Sequence, residues 1–346
     1  MLEKKNKLTI FFGITLGLLT FNKFIVISNP SFYLGKFNYF QAGKINLFAI
    51  FALLSSLLII SLLKNAQSQS TLDSLANQGN QRLKLLVLAF LTLSLLNPIF
   101  LLNIPITLAV CKLGTKQLQI VKKILLYFII LQLVVGALQM LLASSLGLQL
   151  LGESQVSTQI PGSSYINFYG YKILRGYGTF AHPNIFGAYL ALCALEYKFL
   201  SYFIPVSLSI SAAVANLASH SKNSLKKLKY WLPLVLILIL KNPLLNLSSY
   251  SQRLQELSAP LANLETSSLK PWLDTPTHNI FIESLQTNPI FSVALVLILY
   301  VLYKHDKKLA VFMLVLGCFD HYLISSNQGV LLWSLVLIFK KPTASI

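Results

Sequence analysis

The chain has 346 residues, of which 55% are hydrophobic and 11% charged, with a mean hydropathy of +0.67. Soluble domains carry about 25% charged residues, so one large soluble core is excluded and a multi-pass membrane protein is expected. The formal net charge of +18 would suit a nucleic-acid binder in a soluble chain. Here the lysines fall in short loops between apolar runs, which points to positive-inside topology and anionic membrane lipid, with no nucleic-acid partner.

The expected fold class is all-α: a single integral membrane domain over 1–346, forming a polytopic membrane helix bundle of about ten spans. Two extracytoplasmic loops, 149–182 and 246–278, are expected to contain short interfacial helices. Lys4, Lys5 and Lys7 precede the first apolar run, 8–28, which reads as a retained first span because no small-residue cleavage site follows. The segment 29–45 carries Tyr33, Phe37, Tyr39 and Phe40, the aromatic belt of an interfacial loop. A second span covers 46–63. The polar stretch 64–84, with Lys64, Arg82 and Lys84, is a linker expected on the cytoplasmic side.

Residues 85–111 are apolar but interrupted by Asn97-Pro98 and Pro105. They form either one kinked span or a hairpin of two short helices. Lys112, Lys116, Lys122 and Lys123 favour the hairpin, which returns the chain to the cytoplasm. Residues 124–148 cross outward, 149–182 form the first outer loop, and 183–200 return. The run 203–219 is rich in small residues. A full span there would leave Lys222, Lys226, Lys227 and Lys229 outside, so it reads as re-entrant or as followed by a short hidden span near 219–229. Residues 230–245 cross outward to the loop 246–278. Residues 279–303 return, with a break at Asn288-Pro289, and 309–319 lead outward. Asp320 to Gly329 form a polar turn, and 330–339 return to Lys340 and Lys341.

Cys111, Cys193 and Cys318 are isolated from one another, and no CxxC, HExxH or carboxylate cluster has metal-ligand spacing. No metal site is expected from these residues. The chemistry-bearing residues gather in the two outer loops. The first reads Arg175-Gly-Tyr-Gly-Thr-Phe-Ala-His182-Pro183-Asn184-Ile-Phe-Gly-Ala-Tyr189-Leu190. Pro183 suits the first helical position, which makes His182 the N-cap. A helix start with Arg175 and His182 nearby suits a phosphate or diphosphate. The alternative is an interfacial loop whose Arg anchors a span.

The second loop holds Arg253 and Glu256, then Asp274-Thr-Pro276-Thr-His278-Asn279, with Glu283 beyond. Ser251 is a candidate N-cap for a short amphipathic helix to about Ser258, stopped by Pro260. Thr275-Pro276 is a second helix start, placing Asn279 and Glu283 on one face. Interfacial helices with polar outer faces are the alternative reading.

These pieces, in this order, resemble the O-antigen ligase and polymerase superfamily of bacterial membrane glycosyltransferases. The likeness is carried by Arg175 to Leu190, by Ser-x-x-x-Arg253, and by Pro-x-His278-Asn279-x-x-x-Glu283-x-Leu, and spans roughly 84–340. The chain departs from the family pattern where Thr287-Asn288-Pro289 replaces a small-residue pair, and at Ser221-Lys222-Asn223-Ser224. The resemblance implies a metal-independent transferase of the bacterial cytoplasmic membrane that needs no cofactor, with its site facing outward. It implies an undecaprenyl-diphosphate-linked glycan as donor and a lipid, glycan or protein as acceptor. Arg175 and Arg253 would grip the diphosphate and His278 would assist the acceptor, making these three the catalytic set. His182, Asn184, Asn279 and Glu283 would support substrate binding. Ligase and polymerase share these motifs. A polysaccharide transporter or a scaffold without catalysis are the competing classes; a transporter would place its ionisable groups at the bilayer midplane.

Overall fold

The computed structural model describes residues 2–21, 23–26, 31–33, 36–38, 44–63, 73–95, 100–160, 163–219, 235, 237, 280–281, 289–319 and 322–339. Of these, 76% are helical. The all-α expectation holds at that level and needs correction in detail, because the described residues also form three two-stranded antiparallel pairs.

Helix α1 covers Leu2–Leu18. It stops ten residues before the expected end of the first span. Thr20 and Phe21 turn back onto Gly17 and Leu18 by backbone hydrogen bonds, and strand β1, Phe24–Val26, follows. The aromatic and β-branched residues of that strand suit a pleated ribbon better than a helix end. The expected interfacial loop 29–45 likewise holds β2, Ser31–Tyr33, and β3, Lys36–Asn38, while β4, Lys44–Asn46, pairs with β1. Helix α2 is Leu47–Leu63.

The apolar stretch 85–111 is two helices, α3 at Asp73–Ser94 and α4 at Phe100–Lys112, in keeping with the hairpin reading. Helix α5, Thr115–Leu142, begins nine residues before the expected span and takes Lys116, Lys122 and Lys123 into its first turns. Its start is held by Gln117, whose Oε1 accepts the Gly114 N–H at 2.9 Å. Lys122 is fully buried there because its Nζ donates to Glu196 Oε2 at 2.9 Å.

The outer loop 149–182 holds no interfacial helix among its described residues beyond one 3₁₀ turn, Gln149–Leu151. Instead β5, Tyr165–Phe168, and β6, Tyr171–Leu174, form a hairpin with Phe168 opposite Tyr171. The two turn residues, Tyr169 and Gly170, both have positive φ, 47° and 86°. That is the pattern of a type I′ turn, whose twist matches that of the flanking strands. Helix α6, Pro183–Ala194, starts where the Pro predicts but ends before residue 200. A 3₁₀ helix, Lys198–Ser207, and the nine-residue α7, Ile210–Ala218, complete this region. At 1.5 Å per residue α7 is roughly 14 Å long, about half a bilayer core, so 203–219 is not a full span. Helices α8, Pro289–His305, and α9, Lys307–Phe319, form the next pair. The single turn α10, Tyr322–Ser325, leads into α11, Asn327–Leu335. The expected polar turn to Gly329 is therefore helical at its end: Ser326 Oγ accepts the Gly329 N–H at 2.9 Å and starts α11 early.

Among the described residues one helix, α5, is long and apolar enough to cross a membrane, with a mean hydropathy of 2.4 over its best window; the other apolar helices are shorter. Helices of this kind among the described residues do not by themselves make up the expected ten or so spans.

The helices surround an apolar core but also leave apolar stripes exposed and bury several polar side chains. On α5 the exposed residues Tyr127, Leu131, Val134, Leu138 and Leu141 recur every three or four positions and form one apolar stripe. The polar Gln132 and Gln139 are fully buried on the other side. Helix α2 exposes Ile50, Leu54 and Leu57 and buries Ser55 and Ser56. Polar groups join helices inside: Thr15 Oγ1 to Ser55 Oγ at 2.8 Å between α1 and α2, and Ser334 Oγ to Asn103 Oδ1 at 2.7 Å between α11 and α4. Helix α1 lies close on α5 because Gly13 and Gly17 face it. A Cβ at Gly17 would stand 2.1 Å from the Phe128 ring, so this small-xxx-small pair sets the interhelix distance.

Candidate functional site

The first motif is a buried turn clamped by three helices. Gly176 brings the backbone of the turn against its neighbours: its N–H donates to Val206 O at 2.9 Å, and a Cβ there would lie 2.8 Å from Gly136 O and 2.9 Å from Val206 O. Gly178 takes φ +60° and sits against Gln132, a position a side chain would both strain and fill.

The glutamines of α5 then satisfy the turn's backbone. Gln132 Oε1 accepts Thr179 N at 2.7 Å and its Nε2 donates to Thr179 Oγ1 at 2.8 Å. Gln139 Oε1 accepts Tyr177 N at 3.0 Å, and its Nε2 donates to Gly178 O at 2.8 Å and to Glu153 Oε1 at 2.7 Å. Glu153, also buried, accepts the Leu146 and Leu148 N–H groups and so ties the strand-free loop after α5 into the same network. From the opposite side Gln328 of α11 accepts Ala181 N at 3.1 Å, donates to Thr20 O at 2.7 Å, and receives the Tyr189 hydroxyl on its carbonyl at 2.9 Å. Phe180 stacks on Phe186 and leans on Tyr189.

The result is a rigid platform that aims Arg175 at the start of α6. Arg175 is only 7% exposed. Its Nε donates to Ser207 O at 2.9 Å, one terminal nitrogen donates to Ser164 Oγ at 3.0 Å, and the other donates to Asn184 Oδ1. His182 is the N-cap, as the sequence predicts: its Nδ1 accepts the Asn184 N–H at 3.2 Å. The cap uses the Nδ1 lone pair, so the ring hydrogen is on Nε2. Tyr177 closes the other flank, its hydroxyl accepting Ser164 N at 2.6 Å. Burial pushes the Tyr177 phenol above its ordinary pKa, opposed by that hydrogen bond and by the nearby Arg175 charge. It therefore stays protonated at neutral pH.

Arg175, His182 and Asn184 are thus brought together, with His182 and Asn184 half-buried at the edge of the platform. No family model, no curated protein and no solved structure matches the chain.

Arg253, His278, Asn279 and Glu283 lie outside the described residues, as do Asp320 and His321. No geometry therefore relates them to Arg175. Among the described residues no cluster of three or more His, Cys, Asp or Glu could hold a metal. The sequence reading misses Gln132, Gln139, Gln328, Ser164 and Ser207, which hold the turn. A signal for the first two is present: two glutamines seven residues apart in an otherwise apolar stretch share a helix face, and in a membrane-length segment polar residues face protein.

Proposed function

We propose that the chain is an O-antigen ligase-like membrane glycosyltransferase of the bacterial cytoplasmic membrane, moving a glycan from undecaprenyl diphosphate to an acceptor on the outer side. The observation that carries the reading is the fixed juxtaposition of the Arg175 guanidinium with the His182-capped start of α6 at Asn184. A guanidinium beside a helix start favours an anion such as a diphosphate, which would take the place of the Asn184 side-chain carbonyl on the Arg175 terminal nitrogen. The exposed apolar stripe of α5 over buried glutamines supports immersion in lipid. About ten crossings, some by short or broken helices, belong to this reading.

In the reaction the acceptor oxygen, or an amide nitrogen, bonds to the anomeric carbon of the glycan. The bond from that carbon to the diphosphate oxygen breaks with its electron pair. Arg175 and Arg253 stabilise the charge that grows on the leaving diphosphate. His278 takes the acceptor proton, a role an imidazole near neutral pKa can fill. Asn279 and Glu283 orient the acceptor and the helix behind it, and His182 and Asn184 line the donor side. The donor carries its own leaving group, so no nucleotide is consumed. Polymerase chemistry differs only in the acceptor, a second lipid-linked glycan.

One observation favours a second reading, a membrane scaffold without turnover: the Arg175 side chain bonds to three segments of its own fold. The deciding assay uses purified protein in detergent with an undecaprenyl-diphosphate glycan and EDTA. Release of undecaprenyl diphosphate that disappears in Arg253→Ala and Arg175→Ala supports the transferase. No turnover across several donors by folded protein refutes it.

A further inference from the structure

The β5–β6 hairpin has two unlike faces. Residues directly opposite in an antiparallel pair share a face. One face carries Asn167 opposite Lys172 toward the tip and Tyr165 opposite the fully buried Leu174 at the base, with the Lys172 ammonium 5.0 Å from the Tyr165 ring centre. The other face carries Ile166 opposite Ile173 and Phe168 opposite Tyr171. At its base this apolar face is covered, since Ile166 is buried in the core and Ile173 packs against it. At its tip the cover ends: Tyr171 is 77% exposed and Tyr169, in the turn, is 75% exposed. Tyr169 also holds a positive φ of 47°, a conformation that a bulky side chain rarely takes. Its ring meets Phe168 edge-on, 4.8 Å between centres.

What covers the tip is indicated by its neighbour. Strand β6 packs against α5, whose apolar stripe runs up to Leu141 and Leu142 at its C-terminal end, both largely exposed. The hairpin is thus seated on a helix long and apolar enough to cross a bilayer. Tyrosine rings with a lysine nearby are the side chains that favour the headgroup level, where the ring meets hydrocarbon and the hydroxyl or ammonium meets phosphate and water.

We propose that the β5–β6 hairpin is a lipid-interface anchor: Tyr169 and Tyr171 enter the headgroup region of the leaflet at the C-terminal end of α5, while Asn167 and Lys172 face water. This rests on the membrane reading above. The anchor holds the strand that leads directly into Arg175 at the depth where a lipid-linked diphosphate would lie.

The test places a nitroxide on single cysteines in the full chain, with Cys111, Cys193 and Cys318 replaced by alanine, in phosphatidylethanolamine–phosphatidylglycerol vesicles. Sites are Asn167→Cys, Tyr169→Cys, Tyr171→Cys and Lys172→Cys, with Val134→Cys in the middle of the α5 stripe as reference. Accessibility to oxygen relative to a water-soluble nickel chelate is measured at each. The expected ratio at 169 and 171 is severalfold higher than at 167 and 172, in the same sense as at 134. Position 171 reads the same surface as 169 without the positive φ, so either site suffices. A lipid-like 134 with water-like 169 and 171 overturns the anchor and leaves the membrane reading standing. A water-like 134 overturns both. Shielding of 169 and 171 only when soluble glycan is added also overturns the anchor, in favour of a saccharide-stacking surface.

Discussion

Replacing Gly176 with alanine tests whether the motif glycine exists to bring three backbones together. The added Cβ would stand 2.8 Å from Gly136 O, 2.8 Å from Val206 Cγ1 and 2.9 Å from Val206 O. Ordinary contact begins near 3.4 Å, so each neighbour must retreat by about 0.5 Å. Two of the three atoms are carbonyl oxygens from different segments, which have no rotamer to change. Overpacking of this kind costs about 1–3 kcal/mol, and the rigid surroundings place Gly176→Ala in the upper half of that range. Gly170→Ala is the matched control: the same methyl is added at a positive φ with nothing within 4 Å, so its cost of about 1 kcal/mol is purely conformational. Both are measured by denaturant titration of purified protein in detergent. Turnover separates them further. If the proposed transfer takes place, moving residue 176 displaces Arg175 relative to Asn184 and lowers it by roughly tenfold, whereas Gly170→Ala leaves it unchanged. A Gly176→Ala protein as stable as the parent would refute the close-approach argument.

Four further outcomes follow from the same geometry. Gly17→Val drives a side chain into the Phe128 ring and separates α1 from α5, lowering stability by about 1–3 kcal/mol in the same titration; an unchanged midpoint would mean the helices do not meet there. Arg175→Lys keeps the charge but loses the fork that reaches Ser207, Ser164 and Asn184 together; transfer falls by about tenfold or more with protein level unchanged, read by release of undecaprenyl diphosphate. His278→Ala lowers transfer by about 10²-fold if it is the base, and a loss of less than a few-fold removes that assignment. Glu196→Gln leaves the buried Lys122 ammonium without its carboxylate and is destabilising, whereas Lys122→Met removes the buried charge and costs less; equal losses in the two variants, read by the same titration, would contradict the burial asymmetry.

How much of this is legible in the sequence depends on how far each residue's partner lies along the chain. The start of α6 is legible because capping is local: His182 and Asn184 are two residues apart, and Pro183 pre-sets its own φ. That α3 ends by Ser94 and α4 begins at Phe100 is legible for the same reason, from the Asn-Pro pair in the sequence between them. The boundaries of α1 and α5 are not, because distant partners decide them. Lys122 reads as a loop residue until Glu196, 74 positions away, is placed beside it. The hairpin 165–174 has its signal, an alternating run with Tyr169-Gly170 at the centre, but a stretch rich in Gly, Ser and Tyr reads as an irregular loop before its two strands are paired. The platform under Arg175 is invisible in the sequence because its hydrogen bonds from Gln132, Gln139 and Gln328 span 47, 38 and 147 residues.

Those same glutamines explain the orientation of α5. On the proposed membrane reading α5 is surrounded by hydrocarbon, and such a helix gains little by choosing which apolar face to present, since lipid tails are as apolar as leucine. Polar groups supply the choice that apolar surface lacks, because a buried amide without partners costs about 1–3 kcal/mol. Gln132 and Gln139 find most of their acceptors and donors on the 175–180 turn, so α5 must rotate to face it. The stripe from Tyr127 to Leu141 is then left outward. On this argument the exposed apolar face and the positioning of Arg175 have one cause, and changing Gln132 or Gln139 to leucine would disturb the turn while leaving the helix's hydrophobicity intact.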